Sequence, residues 1–270
     1  MSEKYVTVLP RLPRRRTPAC GYIRGKPLVG TRHNGYLTTM DQHEIITKVL
    51  CEAGGCHAEH SLPDGYAGKR ADVVFVLENL IAEVKSFTSD RRQDPQVATK
   101  LGEVMERNAA FGGPIVFGTV NVRLHDLPTP IAEQALRVVG ARVRKEVTSA
   151  RGQITATRAV LNMPDAYGLI VFVSPPERLG NQTTAWLIND ALKHSAHIDG
   201  LDGAMVIETP LGFPAQESKR RDTFSSLWSI SGRAFPDGLA ERIGAAWGRI
   251  TLQPSRYAAV ENFVGLGGTE

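Results

Sequence analysis

Residues 70–89, RADVVFVLENLIAEVKSFTS, constrain this chain more than any other stretch. Two short runs rich in Val, Ile, Leu and Phe flank Glu78-Asn79. They read as strands joined by a tight turn, because Asn tolerates the left-handed conformation that such turns need. Side chains alternate along a strand, so Glu83 and Lys85 share a face. With a two-residue turn at 78–79, Asp72 stands opposite Lys85 and joins that face. A turn longer by one residue would invert the relation. Two carboxylates and an ammonium thus converge on an otherwise apolar hairpin, which is costly unless they pair or hold a metal. The set is either a hard-cation site, with the lysine orienting water or stabilising developing charge, or an ion pair on a surface hairpin.

Asp72, ten intervening residues, then Glu83-Val84-Lys85 resembles the D-x10-E-x-K pattern of the PD-(D/E)xK nuclease superfamily, with apolar Ile81 two residues before the Glu. That family also carries a Glu on an upstream helix, and Glu44 in DQHEIITKVLCEAG stands at the matching place. The resemblance implies an α/β protein with a restriction-endonuclease-like α/β/α core: a mixed central sheet and helices on both faces. It implies Mg²⁺ (or Mn²⁺) held by Asp72 and Glu83 with the Val84 carbonyl, Lys85 at the reacting phosphate, and Glu44 in support. Pro63-Asp64 spells a literal "PD", but Asp72 opens the strand that pairs with Glu83 and Lys85, so Asp64 reads as a turn residue.

The remaining chain supplies the elements such a core needs. Residues 37–54 form a helix capped by Thr38, Thr39 or Asp41, with an apolar stripe of Ile45, Ile46, Val49 and Leu50 and a Gly54-Gly55 stop. A helix is expected from about Pro95, and a strand at 113–122. A long helical pattern spans 129–162, weakened at Gly140 and Gly152. Within it, Gln153-Ile154 is similar to a "QI" element of some restriction-endonuclease-like proteins, which would bring Gln153 to the active site; otherwise it is a polar helix face. The run at 166–175 reads as a buried central strand. A helix at 183–195 and the strand AMVIET follow, a crossover that implies parallel pairing. Leu239, Ile243 and Trp247 mark the inward face of a helix at 236–250.

This gives three regions: a basic extended segment at 1–36, a core at 37–210 with a helical insertion around 94–162, and a C-terminal extension at 211–270 packing on the core. The 270 residues are 42% apolar and 22% charged, enough for a substantial core, and carry a formal charge of +4. That balance is compatible with nucleic acid without being diagnostic. Arg91, Arg92 and Lys100 are candidates for phosphate contact or an exposed basic loop. Arg11, Arg14, Arg15 and Arg16 among prolines read as an arm along phosphates or a solvated tail. Cys51, Cys56, His57 and His60 do not follow a common zinc spacing, and three cysteines make no disulfide framework. No apolar run approaches 18 residues and no secretory h-region is evident, so a cytoplasmic protein off the membrane is expected.

The functional expectation is a metal-dependent nuclease acting on nucleic acid, DNA favoured over RNA, with a homodimer among the arrangements the resemblance allows. The alternatives are a non-catalytic nucleic-acid-binding or assembly module on the same fold, and a toxin or defence effector restrained by a partner.

Overall fold

The computed structural model describes residues 41–86, 95–109, 126–174, 181–193, 200–209, 223–252 and 255–260. The expected strand at 113–122, the N-terminal basic segment, Arg91 and Arg92 lie outside the described residues. The described part is an α/β structure around one mixed seven-stranded sheet whose strands lie in sequence order, β1 to β7.

The chain enters through α1 (Gln42–Glu52), with Asp41 at its N-cap and Gly54 at φ 114° just past its end. A two-residue strand β1 (Cys56–His57) follows, then β2 (Val73–Phe75) and β3 (Leu80–Ser86), each pair antiparallel. The β2–β3 turn differs from expectation. Phe75 pairs with Leu80, so four residues, 76–79, close the hairpin instead of two. Asn79 still takes the left-handed position, at φ 47°. The register is interrupted at Asp72: its amide donates to the Ala82 carbonyl at 3.2 Å, so Asp72 and Val73 both face Ala82, as in a β-bulge. Asp72 therefore does not follow the pleat onto the face of Glu83 and Lys85; its side chain turns to the end of the ladder, where it meets the Val84 amide and His43 of α1.

Three helices then run to the next strand: α2 (Pro95–Asn108), α3 (Thr129–Val139) and α4 (Ala141–Leu161). The break falls at Gly140, where a β-carbon would meet the Leu187 side chain; Gly152 leaves α4 continuous. β4 (Tyr167–Ser174), α5 (Asn181–Lys193) and β5 (Gly203–Glu208) complete the expected crossover, with β3, β4 and β5 parallel. β4 sits between two parallel neighbours and is buried on both faces, which is why its sequence is a continuous apolar run.

The C-terminal region does more than pack against the core. β6 (Thr223–Ser229) pairs antiparallel with β5, and β7 (Ser255–Val260) pairs parallel with β6. Between them, α6 (Leu239–Thr251) buries Leu239, Ile243 and Trp247. Neither strand shows a strong apolar alternation, so sequence periodicity passes over both. Trp228 of β6 is buried in the core.

Two apolar clusters form, one on each side of the sheet. One joins Ile81, Ile170, Phe172 and Val206 to Val147 and Ile154 of α4 and to α5. The other joins Ala82, Val84, Leu169 and Val171 to Val49 of α1 and Trp247 of α6. Helices thus cover both faces. The odd-numbered residues of β3, Ile81, Glu83 and Lys85, point toward α4. No helix among the described residues is long and apolar enough to cross a membrane.

Candidate metal centre

The hairpin carboxylates meet at the edge of the sheet, where β2 begins. Asp72 stands one residue before β2 and carries the ladder one bond further with its side chain: the Val84 amide donates to its Oδ2 at 2.8 Å. A strand residue directs its N–H and C=O to the same neighbour, so the Val84 carbonyl faces this edge too. The His43 Nε2 lies 3.3 Å from Asp72 Oδ1.

Glu83 is the most deeply placed of the group, with a side chain 2% exposed. Lys85 Nζ, 14% exposed, lies 2.7 Å from Glu83 Oε1. It also donates to Gln153 Oε1 at 2.9 Å and is 3.6 Å from Glu146 Oε2. Gln153 is fixed in turn: its Nε2 donates to the Arg70 carbonyl at 2.9 Å, and the Ser149 hydroxyl donates to its Oε1 at 3.0 Å. Arg142 closes the far side, 3.4 Å from Glu146 Oε1 and donating to the Ser86 carbonyl at 3.4 Å.

The structure therefore brings together Asp72, Glu83, Val84, Lys85 and Gln153. It does not bring Glu44, whose side chain is exposed on the outer side of α1. His43 takes that position instead. The helix repeat carried the signal: position 43 lies three residues before Ile46 and seven before Leu50 on the buried stripe, whereas 44 lies four before exposed Lys48. Glu146 was legible in the same way, seven residues before Gln153 and on the same side of α4. Lys100 is exposed on α2 and shares no contact with the site among the described residues.

The two carboxyl groups are driven apart electrostatically. Burial, reinforced by the Asp72 charge, pushes the Glu83 carboxyl up to about 8 against the pull of the Lys85 ammonium. Burial opposes ionisation of Asp72 too, but the hydrogen bond with His43 and the Val84 amide outweigh it and hold Asp72 below the usual carboxylate range. His43 is raised, first by its hydrogen bond to Asp72, against the cost of its own burial. Without a cation, the pair shares one proton, held by Glu83.

The donor set fits a hard divalent cation. No donor group of another residue reaches the buried Glu83 Oε2 among the described residues; besides Lys85 the carboxyl bonds to Asp72 through the proton the two share, whose place a cation would take. Mg²⁺ commonly takes one or two protein carboxylates and completes its shell with waters and substrate phosphates. Among the described residues no group of three His, Cys, Asp or Glu side chains stands ready to hold a metal; the set here is two carboxylates with the Val84 carbonyl. Cys56 instead lies 3.2 Å from the Ser61 hydroxyl and hydrogen-bonds the Val74 carbonyl at 3.5 Å.

The raised Glu83 carboxyl has a measurable cost. Its contribution to stability is full below its unfolded value near 4.5. It declines as pH rises and is gone once pH passes the folded value of about 8. Glu83→Gln keeps an acceptor for Lys85 and removes the titration. Without metal, the variant is expected to be more stable than the parent by about 1–3 kcal/mol at pH 8.5, with the gain vanishing near pH 5. Urea unfolding at both pH values checks this; equal stability at pH 8.5 would contradict it.

No protein-family model, curated protein or solved structure matches this chain.

Proposed function

We propose that this protein is a divalent-metal-dependent nuclease on a restriction-endonuclease-like core, hydrolysing phosphodiester bonds in nucleic acid, with DNA the favoured substrate. The observation that carries the reading is the buried Glu83 carboxyl set against the Asp72 carboxyl, with Lys85 held between Glu83 and Gln153. A purely structural ion pair needs one carboxylate for the lysine; this one sets a second carboxyl against the first, which takes up a proton unless a cation lies between them. The hairpin, the crossover and the two helical layers support the core assignment.

Asp72 and Glu83, with the Val84 carbonyl, would hold the cation. When bound, Mg²⁺ or Mn²⁺ supplies Lewis-acid polarisation of the phosphodiester and a water of lowered pKa. Asp72 is already ionised and oriented by His43 and the Val84 amide. Glu83 gives up its proton on loading. Lys85, fixed by Gln153 and Glu146, presents N–H donors where negative charge builds on the phosphate in the transition state. One active site cuts one strand at a time, so duplex cleavage in which both strands break in a single binding event would point to a homodimer.

The test is cleavage of single- and double-stranded DNA and RNA by the full chain with Mg²⁺, Mn²⁺ or EDTA, alongside thermal unfolding with the same ions. Expected are metal-dependent cleavage, inhibition by EDTA and a Tm that rises with metal in the parent but not in Glu83→Gln. A parent that cuts nothing and whose Tm ignores both ions would overturn the reading.

A further inference from the structure

Arg142, Glu146, Ser149 and Gln153 follow at i, i+4, i+7 and i+11 and so make one polar line along α4. Lys85 of β3 meets that line, and its ammonium has three donors to place. One goes to Glu83 Oε1 at 2.7 Å and one to Gln153 Oε1 at 2.9 Å. For the third, the line offers Glu146, whose Oε2 stands 3.6 Å away, an ion pair too long for a hydrogen bond. The three acceptors differ in how firmly they are held. Glu83 is buried within β3, and the Gln153 amide is bonded at both ends, to the Ser149 hydroxyl and the Arg70 carbonyl. Glu146 is 25% exposed, and its other oxygen already faces a second cation. Arg142 Nε lies 3.4 Å from Glu146 Oε1, while Arg142 Nη2 donates to the Ser86 carbonyl at 3.4 Å. Glu146 can thus leave Lys85 without losing its last cation; Glu83 and Gln153 are fixed where they stand.

We infer that Glu146 guards Lys85: it holds the third ammonium donor in the free protein, and the scissile phosphate takes that donor only as Glu146 withdraws onto Arg142. The inference rests on the nuclease reading and names a control on access to its site. A phosphate oxygen bonded to Lys85 at about 2.8 Å would share the ammonium with the Glu146 carboxylate, and two anions so close repel. The guard therefore lowers the affinity of any anion for Lys85. A nucleic-acid strand offsets that cost through its other phosphates; a lone small anion does not, so Lys85 is kept for the substrate.

The experiment measures binding of a fluorescent DNA oligonucleotide, single-stranded and duplex, to the full chain by anisotropy in EDTA, where the nuclease reading allows no cleavage. Glu146→Gln is expected to tighten binding about 3- to 10-fold, and less than about twofold when Lys85→Ala is also present. Glu146→Asp keeps the charge but draws it back from Lys85 by one methylene. It is expected to tighten binding as well, which plain repulsion by a surface charge does not predict. With Mg²⁺, Glu146→Gln should raise kcat/KM about 3- to 10-fold through a fall in KM. No tightening by either variant, or equal tightening by Glu146→Gln with and without Lys85, overturns the guard and leaves the nuclease reading standing. A kcat that falls by about tenfold or more with KM unmoved assigns Glu146 to the chemistry and also overturns the guard. A parent that binds DNA and cuts none overturns the nuclease reading, and the affinities still decide the guard. A parent that neither binds nor cuts nucleic acid overturns both inferences.

Discussion

Lys85→Ala is expected to lower metal-dependent cleavage by about 10²–10³-fold, the cost of removing one preorganised donor from a developing anion, while the protein still folds and binds metal. The expectation of a fold comes from the local chemistry. Removing one member of a buried ion pair commonly costs about 3–5 kcal/mol, because the other charge is stranded. Here the survivor is Glu83, which has its own way out: burial and Asp72 already favour its protonated form. Loss of the ammonium strengthens that preference, so the carboxyl neutralises instead of remaining charged and unpaired. Metal-induced rise in Tm should persist, because Asp72, Glu83 and the Val84 carbonyl are untouched. Cleavage within threefold of the parent would remove Lys85 from the chemistry. Loss of both cleavage and the metal-dependent Tm shift would mean that Lys85 supports the site's structure instead.

Asp202→Ala is expected to be the most destabilising change of a single polar side chain, about 3–5 kcal/mol. Asp202 is buried one residue before β5. Its Oδ2 accepts from the Arg158 guanidinium at 2.9 Å and the Gly168 amide at 2.8 Å, and Arg233 lies 3.2 Å away; Oδ1 accepts from the Ser231 hydroxyl at 2.8 Å. One carboxylate thus fastens α4, β4 and the turn after β6. Gly168 shows how tightly these are drawn together: a β-carbon there would stand 2.1 Å from the Gly200 carbonyl oxygen. Burial opposes ionisation of Asp202, but the Gly168 amide, Ser231 and the two arginines hold its carboxyl below the usual range. Its stabilisation is therefore complete above the ordinary carboxylate pKa of about 3.9 and fades as pH falls through the lower folded value. Chemical denaturation at pH 7 measures the loss. An acid titration should show Asp202→Asn without the share of acid destabilisation below about pH 4 that the parent shows. A loss under 1 kcal/mol at pH 7 would refute the account.

The sequence made much of this legible, and the reasons differ by element. β4 and β5 were readable because a strand buried on both faces must be apolar throughout. The hairpin was readable through its charges, since Glu83 and Lys85 interrupt an apolar strand two residues apart. β6 and β7 were not, because TFSSLWS and SRYAAV carry neither signal. Turn length was misjudged because Asn79 suits a left-handed position in both a two-residue and a four-residue turn. Asp72 reaches the site despite the shifted register because its side chain accepts the Val84 amide beside Glu83.

Local sequence determined the periodic elements, the shared face of Glu83 and Lys85, and the pairing of acids with a lysine that makes a metal centre chemically sensible. The tertiary structure decided which other side chains reach that centre. His43 meets Asp72 across 29 residues, Lys85 meets Gln153 across 68, and Arg158 meets Asp202 across 44. Contacts at such separations depend on the rotation of a helix about its axis and the register of a strand against its neighbour. Those are set by how whole faces pack, so one step along α1 exchanged Glu44 for His43.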